Sequence, residues 1–154
     1  MAEQQKLDIE TRLGPRSIDP DKVLYFPRGI AGFENLHEFT LLRINANASM
    51  LLLQSMEQAT LGLLVTDPFS FLPEYPARLS DAEEKLLRLK DKADLLVLVT
   101  VSIPAGKPED AKLNLSGPIM INSRAKIGLQ VPQDIKGPTQ VRLARQQEPP
   151  AEKD

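Results

Sequence analysis

Hydrophobic and polar residues alternate along much of this chain, and the alternation is mostly that of β-structure. Leu7, Ile9, Thr11 and Leu13 interleave with Asp8, Glu10 and Arg12, the period of two that marks a half-buried strand. Gly14-Pro15 ends it, Asp19-Pro20-Asp21 turns the chain, and a second short strand follows at 23–26. The stretch FPRGIAGFE, with Pro27, Gly29 and Gly32, reads as a shaped loop rather than an element. Strands are then expected at 39–44, at 50–55 after a turn through 45–49, and at 59–66, where Asp67-Pro68 stops the last. In DLLVLVTVSI, Leu95, Val97, Val99, Val101 and Ile103 share one face, while the other passes from Leu96 and Leu98 to Thr100 and Ser102. That is a central strand losing cover toward one end. Two strands near 111–115 and 119–122 flank Gly117-Pro118, and another runs at about 127–131.

One segment departs from this rhythm. Ser80 and Glu83 have the spacing of a capping box, in which hydroxyl and carboxylate each satisfy a helix-end N–H. Ala82, Leu86, Leu89 and Ala93 recur at helical spacing, with acids early and Lys85, Arg88, Lys90 and Lys92 later, as the macrodipole favours. The pattern predicts one short α-helix at about 81–92. Many short strands with one helix imply a mainly β, small antiparallel barrel-like fold, because closure removes exposed edges. An open sheet packed on the helix is the competing architecture. One domain is expected over 1–135. Residues 136–154 form a tail, and the closing QQEPPAEKD carries no apolar side chain larger than alanine, so its end reads as disordered.

Composition narrows the chemistry. With 154 residues and a formal net charge of −2, the chain suits a single core and offers no basic footprint for nucleic acid or an anionic membrane. It has no cysteine, which excludes disulfides and thiolate chemistry. The longest apolar run, 95–99, is far shorter than the ~20 residues a membrane-spanning helix needs. The first ten residues lack the basic-then-apolar pattern of a signal peptide, so a cytoplasmic protein is expected. His37 is the sole histidine and reads as a solvated loop residue. The carboxylate pairs Glu83/Glu84 and Glu109/Asp110 sit in a helix's opening turn and a surface turn, where nothing separates their pKa values for acid–base work. GIAG lacks the Lys-Ser/Thr of a phosphate-binding loop. No catalytic residue, metal site or cofactor is assigned.

The remaining feature is TDPFSFLPEY, residues 66–75. Pro68 and Pro73 bar both helix and central strand, so Phe69, Phe71 and Tyr75 lie on a loop. Such rings either plug an open end of the barrel or anchor a partner. Both roles are compatible if Phe71 points inward and Tyr75 outward.

Four stretches in order, FPRGIAGFE (26–34), LLLQS (51–55), LGLLVTDPFSFLPEY (61–75) and LNLSGPIMINSRAKIGLQV (113–131), resemble the flagellar assembly factor family FliW. Gly117 stands where that family usually has alanine, and Ala31 where proline is common. The resemblance implies a non-enzymatic, barrel-like protein of the bacterial cytoplasm, monomeric when free. It implies two partners, flagellin and the translational regulator CsrA, an RNA-binding dimer. Flagellin secretion would free the factor to capture CsrA away from its RNA-binding surface and so lift repression of flagellin translation. Direct nucleic-acid or membrane binding is not expected. Motif positions become candidate partner-binding or barrel-shaping residues: Gly29, Gly32 and Phe33; Asp67, Pro68, Phe69, Phe71 and Tyr75; Asn114, Pro118, Asn122 and Gln130. Glu83 and Glu84 add an acidic surface for a basic regulator. A small barrel enzyme and a nucleic-acid-binding barrel are the alternative readings.

Overall fold

In the computed structural model, residues 5–44, 50–134 and 139–142 are described. The expected turn at 45–49 and the end of the tail lie outside them. Ten strands form: β1 (Leu7–Thr11), β2 (Gly14–Ile18), β3 (Leu24–Tyr25), β4 (Glu38–Arg43), β5 (Met50–Ser55), β6 (Gly62–Thr66), β7 (Leu95–Ser102), β8 (Lys112–Asn122), β9 (Ile127–Gln130) and β10 (Gln140–Arg142). The single α-helix among the described residues, α1, spans Asp81–Leu86. Strands β8, β7, β6, β5, β4, β3 and β9 are neighbours in that order, and β9 pairs back onto β8, so the sheet closes on itself. All pairings are antiparallel except the closing one, where Tyr25 of β3 meets Ile127 of β9 in parallel.

Strand alternation sorts the apolar residues into an inside and an outside. Leu24, Phe39, Leu53, Val65, Leu98 and Ile119 come from six successive strands of the ring and pack together as the barrel interior. Strand β9 contributes Gly128 there, and the ring of Phe26 fills the space: a Cβ at 128 would lie 2.3 Å from Phe26 Cζ. A second layer lies outside β7–β9, where Val97, Val99, Leu113 and Met120 are covered by Tyr75, Leu87 and the chain between them. A third lies under the β1–β2 hairpin, where Ile18 packs on Leu42 and Leu52. The central strand β7 is thus buried on both faces for most of its length, and cover falls through half-buried Thr100 to exposed Ser102, as the thinning pattern predicts. Ile103, on the apolar face just past its end, is exposed as well.

Four boundaries differ from the sequence reading. Gly14-Pro15 does not end the N-terminal strand region; the chain turns at 12–13, and Pro15 sits in β2 opposite Glu10. That two-stranded sheet is all edge, so the missing N–H costs no central ladder bond. The two strands expected around Gly117-Pro118 are one, β8, bent where the register slips. Strand β10 pairs with β8 although the sequence beyond Pro132 shows no alternation. Helix α1 begins at the expected cap, with Ser80 Oγ accepting from Glu83 N and Glu83 Oε1 from Ser80 N, yet ends at Leu86. It ends because Arg88 takes φ +54°, letting Leu89 N reach Glu84 O and Arg88 N reach Lys85 O. This is the usual left-handed helix stop, made here without glycine and therefore invisible to a glycine-based reading.

Two substitutions test this packing. Gly128→Ala pushes a methyl into the Phe26 ring and is expected to lower unfolding free energy by about 1–3 kcal/mol in urea titration. Ser80→Ala removes the cap and is expected to cost about 0.5–2 kcal/mol by the same measurement.

Candidate functional site

Four of the candidate residues, Tyr75, Asn114, Pro118 and Gln130, converge on the bend in β8. Leu98 pairs with Ile119 and Thr100 with Asn114, so two steps along β7 span five along β8. Residues 115–118 bow out of the ladder there. On the β7 side the carbonyls of Leu115 and Gly117 take side-chain donors, while on the β9 side those of Ser116 and Pro118 continue the backbone register. Tyr75 Oη donates to Leu115 O, Gln133 N to Ser116 O (2.7 Å), Gln130 Nε2 to Gly117 O (3.0 Å) and Val131 N to Pro118 O (2.9 Å). A buried carbonyl left unpaired costs about 1–3 kcal/mol. The donors to the buried residues Leu115 and Pro118 are therefore the strongest constraints of the set, since Gly117 is half-buried and Ser116 exposed.

Two of those donors tie distant loops to the bend. Gln130 Oε1 accepts from Ala31 N at 2.8 Å, which docks the 26–37 loop. Within that loop Gly29 has φ +64°, and a Cβ there would lie 2.5 Å from Phe33 O, so only glycine fits. Gly32 also has positive φ but faces open space, and Phe33 bridges back to Ile30. The loop's two ends are clamped by Phe26 N donating to His37 O (2.7 Å) and by His37 Nδ1 lying 2.8 Å from Phe26 O. His37 is therefore half-buried and stacked on Tyr25, not a free solvated side chain. Backbone N–H groups of Glu38 and His37 hold the Glu57 carboxyl below its ordinary pKa.

Tyr75 anchors the other loop, and here the expected orientation reverses. Tyr75 is 6% exposed, whereas Phe69 is 39% exposed and meets Tyr75 edge-on. The hydroxyl is what turns Tyr75 inward, since Leu115 O requires a donor. Phe71 packs inward as expected. The loop lies against the outer face of β7–β9 and plugs no open end, because the barrel interior is already filled by the residues around Phe26. Asp67 starts a 3-10 turn at Pro68–Ser70 by accepting from Phe69 N at 2.9 Å, which fixes the backbone beneath the exposed ring.

The asparagines join elements, Asn122 through backbone and Asn114 mainly through neighbouring side chains. Asn122, 2% exposed, donates to Leu87 O and Arg88 O, and its Oδ1 accepts from Arg124 N and Ala125 N. One side chain thus holds both the left-handed end of α1 and the turn into β9. Asn114 donates to Thr100 and Ser102 and accepts from Gln140 Nε2, joining β7, β8 and β10. Glu83 is committed to the cap of α1. Glu84 stands beside Lys85 and Arg88, so the helix offers no uniform acidic face.

Gln54 does comparable work and was not singled out beyond its place in LLLQS. It is fully buried, donates to Ser55 O and Ala59 O, and accepts from Arg12 N, pinning the β1–β2 hairpin to the barrel. The available signal was a glutamine directly following three leucines on a strand. Among the described residues, no three His, Asp or Glu side chains gather as a metal site, and no helix is long and apolar enough to cross a membrane.

Burial pushes the Tyr75 phenol up to about 12. Its folded pKa lies above the ordinary value near 10, so its contribution to stability is complete below pH 10 and is lost as pH rises from about 10 to 12. The expected outcome is a tyrosine that ionises near 12 in ultraviolet absorbance titration of the protein and is missing from Tyr75→Phe.

The sequence profile of the FliW protein family matches residues 8–143. The flagellar assembly factor FliW of Desulfovibrio desulfuricans is 54% identical over 143 residues, which is 92% of this chain and 86% of that one. Its counterpart in Nitratidesulfovibrio vulgaris strain DP4 is 56% identical over 133 residues, covering 86% of this chain and 77% of the relative. A crystal structure of the flagellar assembly factor FliW superposes with a TM-score of 0.81 at 29% identity, over 89% of this chain and 96% of the other. The motifs that meet at the β8 bend lie within the matched span, and the chain belongs to the FliW family.

Proposed function

We propose that the protein is a cytoplasmic flagellar assembly factor that works by binding other proteins and catalyses nothing. Its proposed partners are flagellin and the translational regulator CsrA, exchanged so that free protein relieves CsrA repression of flagellin translation. Family membership over nearly the whole described chain carries the reading, because the relatives matched are named flagellar assembly factors. The geometry agrees with a binding role. Asn122, Gln130 and Tyr75 are engaged with backbone and Asn114 mainly with neighbouring side chains, so each is occupied in holding the fold.

Phe69 is the aromatic of the 66–75 loop left open to a partner, on a turn that Asp67 and Pro68 hold rigid. A ring presented on rigid backbone loses little entropy on binding and suits an interface anchor. An interface of standard size takes about 800 Å² per partner, so area alone does not force the two partners to compete. Competition is attributed to their sharing this loop.

The test is titration of flagellin into a preformed complex with CsrA. Displacement of CsrA is expected. A stable ternary complex with neither affinity changed would rule out the exchange. Phe69→Ala is expected to weaken at least one complex by more than about 1 kcal/mol, with CsrA binding in wild type weakened by added salt.

A further inference from the structure

Three adjoining cavities form one trough beside α1, away from Phe69. The first, about 640 Å³, lies between Arg78, Leu79, Pro132 and Gln133. It shares Arg78 and Leu79 with a second of about 310 Å³, lined also by Glu84, Leu89, Leu95 and Met120. That one shares Glu84 and Leu89 with a third of about 490 Å³ beside Lys85, Arg88 and Lys90. Specific ligand pockets typically measure about 300–1,000 Å³ with apolar linings and a few polar groups, and the middle cavity has that character. Its floor is the fully buried Met120, and its walls are Leu79, Leu89 and Leu95, half-buried and incompletely covered.

The rim is mainly cationic. Arg78, Lys85, Arg88, Lys90 and Lys92 are exposed along the trough. Facing them are Glu84, Asp81 at the head of α1 and Asp134 at the far end. Among the described residues the salt bridges are Arg124–Asp94 and Arg142–Asp110, so none of the five rim cations is held in one. The trough itself is firmly built. Ser80 and Glu83 cap the helix along one side, and Asn122 fixes its far end. Gln133 exchanges two hydrogen bonds with the Arg78 backbone beneath the first cavity.

We infer that this trough is a docking site for an acidic amphipathic peptide segment of a partner protein. A leucine- or methionine-sized side chain enters between Leu79, Leu89 and Leu95, and flanking carboxylates meet Arg78, Arg88 and Lys92. Charge complementarity selects this occupant over a basic one, and the apolar walls select it over a purely electrostatic ligand. The chain's own closing residues, QQEPPAEKD, supply carboxylates but no side chain large enough for the apolar cavity.

The test uses the full chain and three fluorescein-labelled 14-residue peptides, followed by anisotropy. One has leucines at i, i+3, i+4 and i+7 with glutamates between, one has lysines for the glutamates, and one has alanines for the leucines. The Glu/Leu peptide is expected to bind at least tenfold more tightly than either control. The charge-reversed variant Arg88→Glu/Lys92→Glu is expected to bind it at least tenfold more weakly with an unchanged unfolding midpoint. A second variant, Leu89→Asp, reports the apolar cavity and is expected to lose binding likewise. Equal or tighter binding of the lysine peptide, indifference to the charge reversal, or no binding of any peptide overturns the inference. None of these outcomes bears on flagellin or CsrA exchange, which is measured separately.

Discussion

At the bend in β8 the carbonyls of Leu115 and Gly117 lose the β7 ladder and take side-chain donors from Tyr75 and Gln130, while those of Ser116 and Pro118 continue the β8–β9 register to Gln133 N and Val131 N. A continuous strand would have satisfied these groups with its neighbours at no further cost. The bow makes the Leu115 and Gly117 carbonyls depend on side chains from elsewhere, and for the buried Leu115 the penalty of losing that donor is large compared with the net worth of one ordinary hydrogen bond. The donors come from the 66–75 loop, from the end of β9 and from the segment just beyond it. Gln130 extends the set to the 26–37 loop through Ala31, and Gln133 extends it to the backbone at Arg78. Motifs far apart in sequence thus serve one local problem of backbone hydrogen bonding.

This explains which parts of the fold were legible in the sequence. Strand positions, the Ser80 cap and the two faces of β7 follow from local periodicity and end signals, and the structure has them. Tyr75 was misoriented because its direction depends on Leu115 O, forty residues away, and no local pattern encodes that bond. The stop at Leu86 was missed for a similar reason, since Arg88 adopts left-handed backbone under the hold of Asn122. The short β10 is recognised only by its partner, β8. Residue identity at the candidate site was therefore readable from the motifs, while residue role was not. Most polar candidates shape the barrel, and the features left exposed are Phe69 and the cation-rimmed trough.

That division has a functional corollary. A binding protein needs loops held in one conformation, so that partner contact is not preceded by an ordering cost. Here the 26–37 loop is clamped at both ends by Phe26 and His37, and the 66–75 loop is pinned by Tyr75 and started by Asp67. The polar residues buried beneath these loops keep the surface rigid, and the residues left on top are free to differ in what they touch.

If the bend is one structural unit, its supports must be energetically coupled. The direct measurement is a double-mutant cycle of Tyr75→Phe and Gln130→Leu by urea unfolding. Each change strands a carbonyl of the same four-residue bow and lets it relax, so the two losses are predicted to be non-additive, with a coupling energy of about 0.5–3 kcal/mol. Losses that add to within about 0.3 kcal/mol would show that the two side chains act independently and would contradict the bend as the node of the fold.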